Sequence, residues 1–327
     1  MKTLYKGILF FGLLLTSVAC NTASDVKVIK LGHGLDVSHP VHKSMVYMSE
    51  LLEKNSKGQM KIKIYPSQQL GTERELVELL QIGSVGITKV SASVLENFAP
   101  SYSVLSIPFI FNSEQHRFNV LEGEIGSEIL NDGTRFWFQG LCFYDAGSRS
   151  FYTKDKPIYS PSDLEGQKIR VMESQTAMSM VRSLGGSPTP ISFGELYTAL
   201  QQGVVDGAEN NPPSFYTSRH YEVSKYYTID EHTAVPDVLI ISTHIWNSLS
   251  SKEKEWLQNA ASESAEYQKE LWKKASTVAL EKVKEAGVEI IYPEKYQFQE
   301  KVKDLYETYK QDPLKKDLID RIQKVEG

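Results

Sequence analysis

His39 and His42 stand three residues apart where a helix opens, a spacing that can set two imidazoles on one helical face as metal ligands. No third ligand accompanies them. A helix-start and surface role is therefore expected, and no metal is assigned. The chain has no Gly-x-x-x-x-Gly-Lys-Ser/Thr phosphate loop, no Gly-x-Gly-x-x-Gly after a strand, no His-Glu-x-x-His and no Gly-x-Ser-x-Gly elbow. Serine, histidine and aspartate occur together as in almost any protein, which is no triad. No acid–base pair stands out, so the chain is expected not to be an enzyme and to carry no cofactor. Three segments nevertheless look unlike plain scaffold: Gly147-Ser148-Arg149-Ser150-Phe151-Tyr152, Asp163-Leu164-Glu165-Gly166-Gln167-Lys168-Ile169-Arg170-Val171, and Gln202-Gly203-Val204-Val205-Asp206-Gly207-Ala208-Glu209-Asn210-Asn211-Pro212-Pro213. A guanidinium offers paired donors that match a carboxylate's two oxygens and stays charged at any working pH. Asparagine can both donate and accept. Taken alone, Arg170 reads more readily as an exposed arginine on a strand.

The elements that would position these residues alternate between strand and helix. Val26–Gly32 is β-like, His39-Pro40 opens a helix to about Ser56 with Val41, Met45, Met48 and Leu52 on one face, and Met60–Tyr65 alternates as a half-buried strand should. Helices are expected over Glu73–Ile82, Glu114–Asn131 and Ser174–Leu184, and strands over Ser84–Ser91, Phe136–Tyr144, Arg149–Thr153, Lys168–Val171 and Val238–Thr243. Ser192 and Glu195 form a capping box at the head of a helix to Gln202. Ser251–Ala286 carries small and apolar residues at spacings of three and four. At ~1.5 Å per residue that helix would measure about 50 Å. Gly287 stops it, Val288–Ile291 is a last strand, and two helices follow. The class is α/β.

The 327 residues, 41% of them hydrophobic, suffice for two domains of about 150 residues. A formal net charge of −5 leaves no basic excess for a phosphate backbone, so nucleic-acid binding is not expected. Two cysteines, Cys20 and Cys142, exclude a disulfide scaffold, a four-cysteine zinc site and a cysteine-ligated cluster within the chain. Residues 1–20 read as a secretory leader: Lys2 and Lys6 precede the apolar run Ile8–Leu15. The leader ends in Ser17-Val18-Ala19-Cys20, which resembles the bacterial lipobox although Ser17 stands where that signature usually has Leu. The expectation is acylation of Cys20 and a periplasmic, lipid-anchored protein, with residues 21–25 as a polar linker. Cys142, in an apolar run, is expected to be a small buried hydrophobe.

Together the three segments resemble the solute-binding protein of tripartite ATP-independent periplasmic (TRAP) transporters, the DctP family. So do Pro66-Ser67-Gln68-Gln69-Leu70-Gly71, Pro108-Phe109-Ile110-Phe111 and Ser192–Gln201. The resemblance covers Val26 to about Lys284. It implies a two-lobed α/β binding protein with a long helix spanning both lobes, which closes on a small organic acid and hands it to membrane permease subunits. It also implies lobe I from 26–147 and 236–275 and lobe II from 148–235 and 276–327. By resemblance, Arg170 grips the ligand carboxylate, Arg149 is a second cationic position, Asn210 the ligand amide and Phe193 an aromatic packed on the ligand. The Glu209-Asn210-Asn211-Pro212-Pro213-Ser214 run and the sequence through Asp237 look like the hexuronate-binding branch, which takes glucuronate or galacturonate. In that branch Glu73, Lys89, Ser91 and Asp237 match positions that read sugar hydroxyls, with His39 a further candidate. Glu73 would accept from two hydroxyls and repel a dicarboxylate. Other readings are a keto acid, aldonate or dicarboxylate ligand, or a sensor that signals to a membrane receptor.

Overall fold

The computed structural model describes residues 26–327. The leader, Cys20 and the linker lie outside the described residues. Among those described, eleven strands form two sheets. In chain order they are β1 (Lys27–Gly32), β2 (Met60–Tyr65), β3 (Ile87–Ser91), β4 (Phe138–Tyr144), β5 (Arg149–Thr153), β6 (Lys168–Val171), β7 (Ser187–Pro190), β8 (Gly207–Asn210), β9 (Tyr226–Thr233), β10 (Asp237–Ser242) and β11 (Glu289–Ile291). The first sheet is ordered β2-β1-β3-β10-β4 and the second β11-β9-β5-β8-β6-β7. Both are mixed. β10 runs antiparallel to β3 and β4, and β5 runs antiparallel to β8 and β9.

Parallel neighbours need crossover helices, and the chain supplies them. The helix Pro40–Asn55 joins β1 to β2 and buries Val41, Met45, Met48 and Leu52, the face its spacing predicts. The helix Glu73–Gln81 leads into β3; Thr72 caps it, with Glu75 closing the capping box. Ser250 and Glu253 do the same for the long helix Ser251–Glu285. That helix packs Leu257, Ala260, Ala261, Ala265 and Trp272 into the core under the first sheet and Val283 into a core under the second. It therefore spans both lobes. The chain first crosses between sheets at residues 145–148. There Gly147 has φ +55, and a Cβ would lie 2.7 Å from the Trp272 indole nitrogen, so both backbone and packing demand glycine.

The structure adds β8 and β9, which the sequence reading did not expect, and departs from that reading elsewhere too. The single helix over Glu114–Asn131 is two, Glu114–Glu122 and Glu124–Asp132, broken at Gly123. β7 reads Ser-Pro-Thr-Pro; its prolines are tolerated because it lies at a sheet edge. At the expected capping box, the Ser192 hydroxyl donates to the Glu195 carboxylate at 2.5 Å, and residues 193–195 form a 3-10 turn ahead of the helix Leu196–Gln202. The expectation that 276–327 belongs wholly with the second sheet fails at the tail. Leu318, Ile319 and Ile322 of the last helix, Pro313–Ile322, pack with Leu105, Ile125 and Ile129 on the first-sheet side, where that apolar stripe finds cover.

Candidate functional site

A cleft lies between the two sheets, a concave setting of the kind that small-molecule sites use. Residues from both sides line it. Arg149, Arg170, Phe193, Asn210 and Ser214 come from the second; Gln68, Glu73, Lys89, Ser91 and Asp237 come from the first.

Arg170 sits on β6, two strands from Arg149 on β5, and is 2% exposed. Its Nε donates to the Ile191 carbonyl at 2.8 Å, and its guanidinium carbon lies 5.9 Å from the Phe193 ring centroid. Its Nη1 is buried without a hydrogen-bond partner. Burial holds the guanidinium below the usual arginine range, although it stays a cation. Four lysine or arginine side chains are buried among the described residues: Lys89, Arg117, Arg149 and Arg170. The first three each touch a carboxylate within 3.0 Å, and Arg170 touches none.

Arg149 is differently placed. Its guanidinium grips the Glu209 carboxylate through Nε and Nη2, donates from Nη2 to the Glu209 carbonyl at 2.8 Å, and donates from Nη1 to Asn210 Oδ1 at 2.9 Å. One Nη1 proton remains. Burial alone would raise the Glu209 pKa, but Arg149 and His232 overcome it and hold that carboxyl at about 2. Behind Glu209, His232 donates toward Asp230 at 2.8 Å and lies 3.6 Å from Glu209, an ion-pair contact longer than a hydrogen bond. Burial pushes this imidazole down, yet Asp230 and Glu209 raise it to about 9. Because Arg149 and the Asn211 N–H both donate to Asn210 Oδ1, the Asn210 amide is oriented with its nitrogen left for another acceptor.

On the first side, Lys89 lies between two carboxylates, 2.7 Å from Glu73 and 3.0 Å from Asp237. The antiparallel register of β3 and β10 makes this pairing: Ser91 faces Asp237 and Lys89 faces Leu239. Burial works against the ammonium, but both carboxylates raise its pKa well above the usual value. Asp237 is shifted upward by its own burial, against the pull of Lys89. Glu73 also accepts from the Ser91 N–H at 3.3 Å. Lys89 keeps one proton unused.

Eight of the nine residues singled out in the sequence thus line one cleft. His39 does not. It caps the helix Pro40–Asn55, its Nδ1 accepting from the Val41 N–H, and its Nε2 meets the Ser214 hydroxyl at 3.2 Å across the two sides. Burial keeps it well below the ordinary histidine pKa. His42 pairs with His33 at 3.0 Å, and no cluster among the described residues could hold a metal. Other hydrogen bonds also join the sides. Asn97 donates to the Glu173 carbonyl at 2.6 Å, and the Glu96 carboxylate accepts from both the N–H and the hydroxyl of Thr176. Sequence reading missed Gln68, Ser214, Glu209 and His232. Glu209, Gln68 and Ser214 stand inside the segments that carry the family resemblance, but nothing in those patterns marks them as site residues.

The family model for bacterial extracellular solute-binding protein family 7, DctP, matches residues 31–312. The chain belongs to this family. It is an extracytoplasmic solute-binding protein of the TRAP type, a component that passes its ligand to a membrane permease. Among solved structures it is similar to a TRAP periplasmic solute-binding protein from Xanthobacter autotrophicus Py2 with bound β-D-galacturonate. That match has 38% identity and a TM-score of 0.89, covering 91% of this chain and all of that one. A second, from Anaerococcus prevotii with bound α/β-D-glucuronate, has 38% identity and a TM-score of 0.89, covering 91% and 98%. A third, from Polaromonas bound to D-erythronate, has 29% identity and a TM-score of 0.89, covering 92% and 99%. The family's members bind and do not transform, and no helix among the described residues is long and apolar enough to cross a membrane.

Proposed function

We propose that this DctP protein captures a hexuronate, glucuronate or galacturonate, in its cleft. The observation that carries the reading is Arg170: a buried cation with an unpartnered Nη1 and no carboxylate of its own, in the cleft wall. A buried unpaired charge is costly, and an anionic ligand relieves the cost. Arg170 takes the ligand carboxylate with two aligned donors. The Arg149–Glu209 pair is already satisfied, so its part is to hold Asn210 with the amide nitrogen toward the ligand and to offer one further proton. Phe193 packs on the ligand. Glu73, Lys89, Ser91 and Asp237 read hydroxyls. Two carboxylates there suit a polyol end and repel a second acid group. The lobes divide near 147, 235 and 275, with the last helix seated on lobe I, and they close by hinge motion. His39 joins the lobes through Ser214 and does not touch ligand.

An aldonate is the second reading, favoured by the erythronate-bound neighbour. Calorimetry with glucuronate, galacturonate, erythronate and succinate, on wild type and Glu73→Gln, decides. Hexuronates should bind most tightly to wild type, and succinate should gain relative to them in the variant. Preference for erythronate or succinate by wild type sinks the hexuronate reading; an unchanged ranking in the variant removes Glu73 as the hydroxyl reader. We also propose that Cys20, which lies outside the described residues, is acylated and anchors the protein. Cys20→Ser should then leave the membrane fraction, and a variant that stays there overturns the anchor.

A further inference from the structure

Arg170 Nη1 is not the only stranded donor in the cleft. Gln68 Nε2 is also buried without a hydrogen-bond partner, and Gln68 lines the same space from the opposite side. Gln68 follows β2 in a turn where Ser67 and Gln68 both have left-handed backbones, φ 52 and φ 59. Two consecutive non-glycine residues in that region are strained, and such strain persists only where surrounding bonds hold it. Here they do. The Ser67 N–H donates to the Leu35 carbonyl and the Gln68 N–H to the His33 carbonyl, tying the turn to the segment after β1. The turn delivers the side chain across the mouth to Gly194. A Cβ there would lie 2.2 Å from Gln68 Oε1, so a larger residue would push the amide out of this position. Gly194 follows Phe193, whose ring lies 5.9 Å from the Arg170 guanidinium carbon.

We propose that Gln68 is a ligand-reading residue whose amide donates to an oxygen of the bound acid from the lobe opposite Arg170. The inference rests on the acid-binding reading above. A buried amide proton with no acceptor is costly, and an oxygen-rich ligand in the cleft supplies the acceptor. Gly194 is the complementary feature on lobe II: it leaves the space the amide needs when the lobes meet.

Calorimetry on wild type, Gln68→Met and Gln68→Glu, with the same four acids, tests this. Methionine keeps the length and removes the donor. Its Kd should rise about 2- to 12-fold, the range of one neutral hydrogen bond. Glutamate keeps the shape but sets an anion beside an anionic ligand, and should weaken binding more than methionine does. The ligand-free unfolding midpoint of Gln68→Met should not fall below that of wild type, since the substitution removes an unpartnered donor. Gly194→Ala should raise Kd in the wild-type background and much less in Gln68→Ala, because the clash needs the amide. Wild-type affinity in Gln68→Met, or Gln68→Glu no weaker than Gln68→Met, overturns the role of Gln68 and leaves the acid-binding reading standing. A wild type that binds none of the acids overturns both.

Discussion

The two walls of the cleft handle buried charge in opposite ways. On the lobe I wall one ammonium, Lys89, sits between two carboxylates, Glu73 and Asp237. On the lobe II wall two guanidiniums and a histidine raised to about 9 face two carboxylates, Glu209 and Asp230, and Arg170 is left without a partner. The charges of the first wall are paired with one another and leave a surplus of negative charge. The second carries a surplus of positive charge held at one unpaired fork. The difference separates positioning from binding: satisfied groups fix geometry for hydroxyls, while the unsatisfied one waits for an anion. A ligand with one acid end and one polyol end matches the pair of walls.

The same substitution on each wall breaks the comparison most sharply. Lys89→Met leaves Glu73 and Asp237 buried without their cation. Breaking a buried pair in this way costs about 3–5 kcal/mol of stability. Arg170→Met removes a buried charge that had no partner, so the ligand-free protein should unfold at a higher temperature than wild type. Binding should collapse in the same variant by about 2–5 kcal/mol, roughly a 30- to 5,000-fold rise in Kd, because the ligand carboxylate is left unpaired. Thermal unfolding without ligand and calorimetry with glucuronate read the two effects. An Arg170→Met protein that is less stable than wild type and binds normally would erase the distinction between the walls.

How much of this was legible in the sequence follows the same line. Arg170, Arg149 and Asn210 lie in segments with recognisable local patterns, and Phe193 heads a helix signal, so short-range reading reaches them. The helix over 40–55 and the long helix over 251–285 were readable because their apolar spacing repeats over several turns. The pairing of Lys89 with Asp237 joins residues 148 apart and exists only through the register of β3 on β10. Nothing local announces it. His39 shows the converse error. A histidine before a proline at a helix start resembles a site residue, but its ring nitrogens are used by the helix cap and by Ser214. Gln68 was quoted only as part of a pattern, since its importance comes from an absent partner, which a sequence cannot display. The seat of the last helix was misplaced for a related reason: the stripe Leu318, Ile319 and Ile322 says that the helix must be covered, not by which lobe.

The smallest effect expected is in the pH dependence of stability, where His33 and His232 should act with opposite sign. His33, behind Lys89, is lowered to about 3 by burial and then by the charge of Lys89. A histidine depressed by folding contributes stability that is fully present above its unfolded value near 6.5 and is lost as pH falls toward 3. His232, behind Glu209, is raised to about 9: burial opposes its charge, but Asp230 and Glu209 prevail. A histidine raised by folding contributes stability that is fully present below about 6.5 and is lost as pH rises through 9. The ligand-free protein should therefore lose stability from about pH 6.5 to 9, and this loss should depend on Asp230. Asp230→Asn removes the stronger of the two anions that hold the proton on His232. The His232 pKa should then fall toward its unfolded value and the alkaline slope should flatten. The acid limb, where His33, His39 and His220 titrate, all lowered by burial, should keep its shape in the region near pH 5–6. Unfolding midpoints measured at intervals across this range on both proteins give the two slopes separately. An Asp230→Asn protein with the wild-type alkaline slope would mean that His232 is not a charged member of the lobe II wall, and that this wall carries no positive surplus.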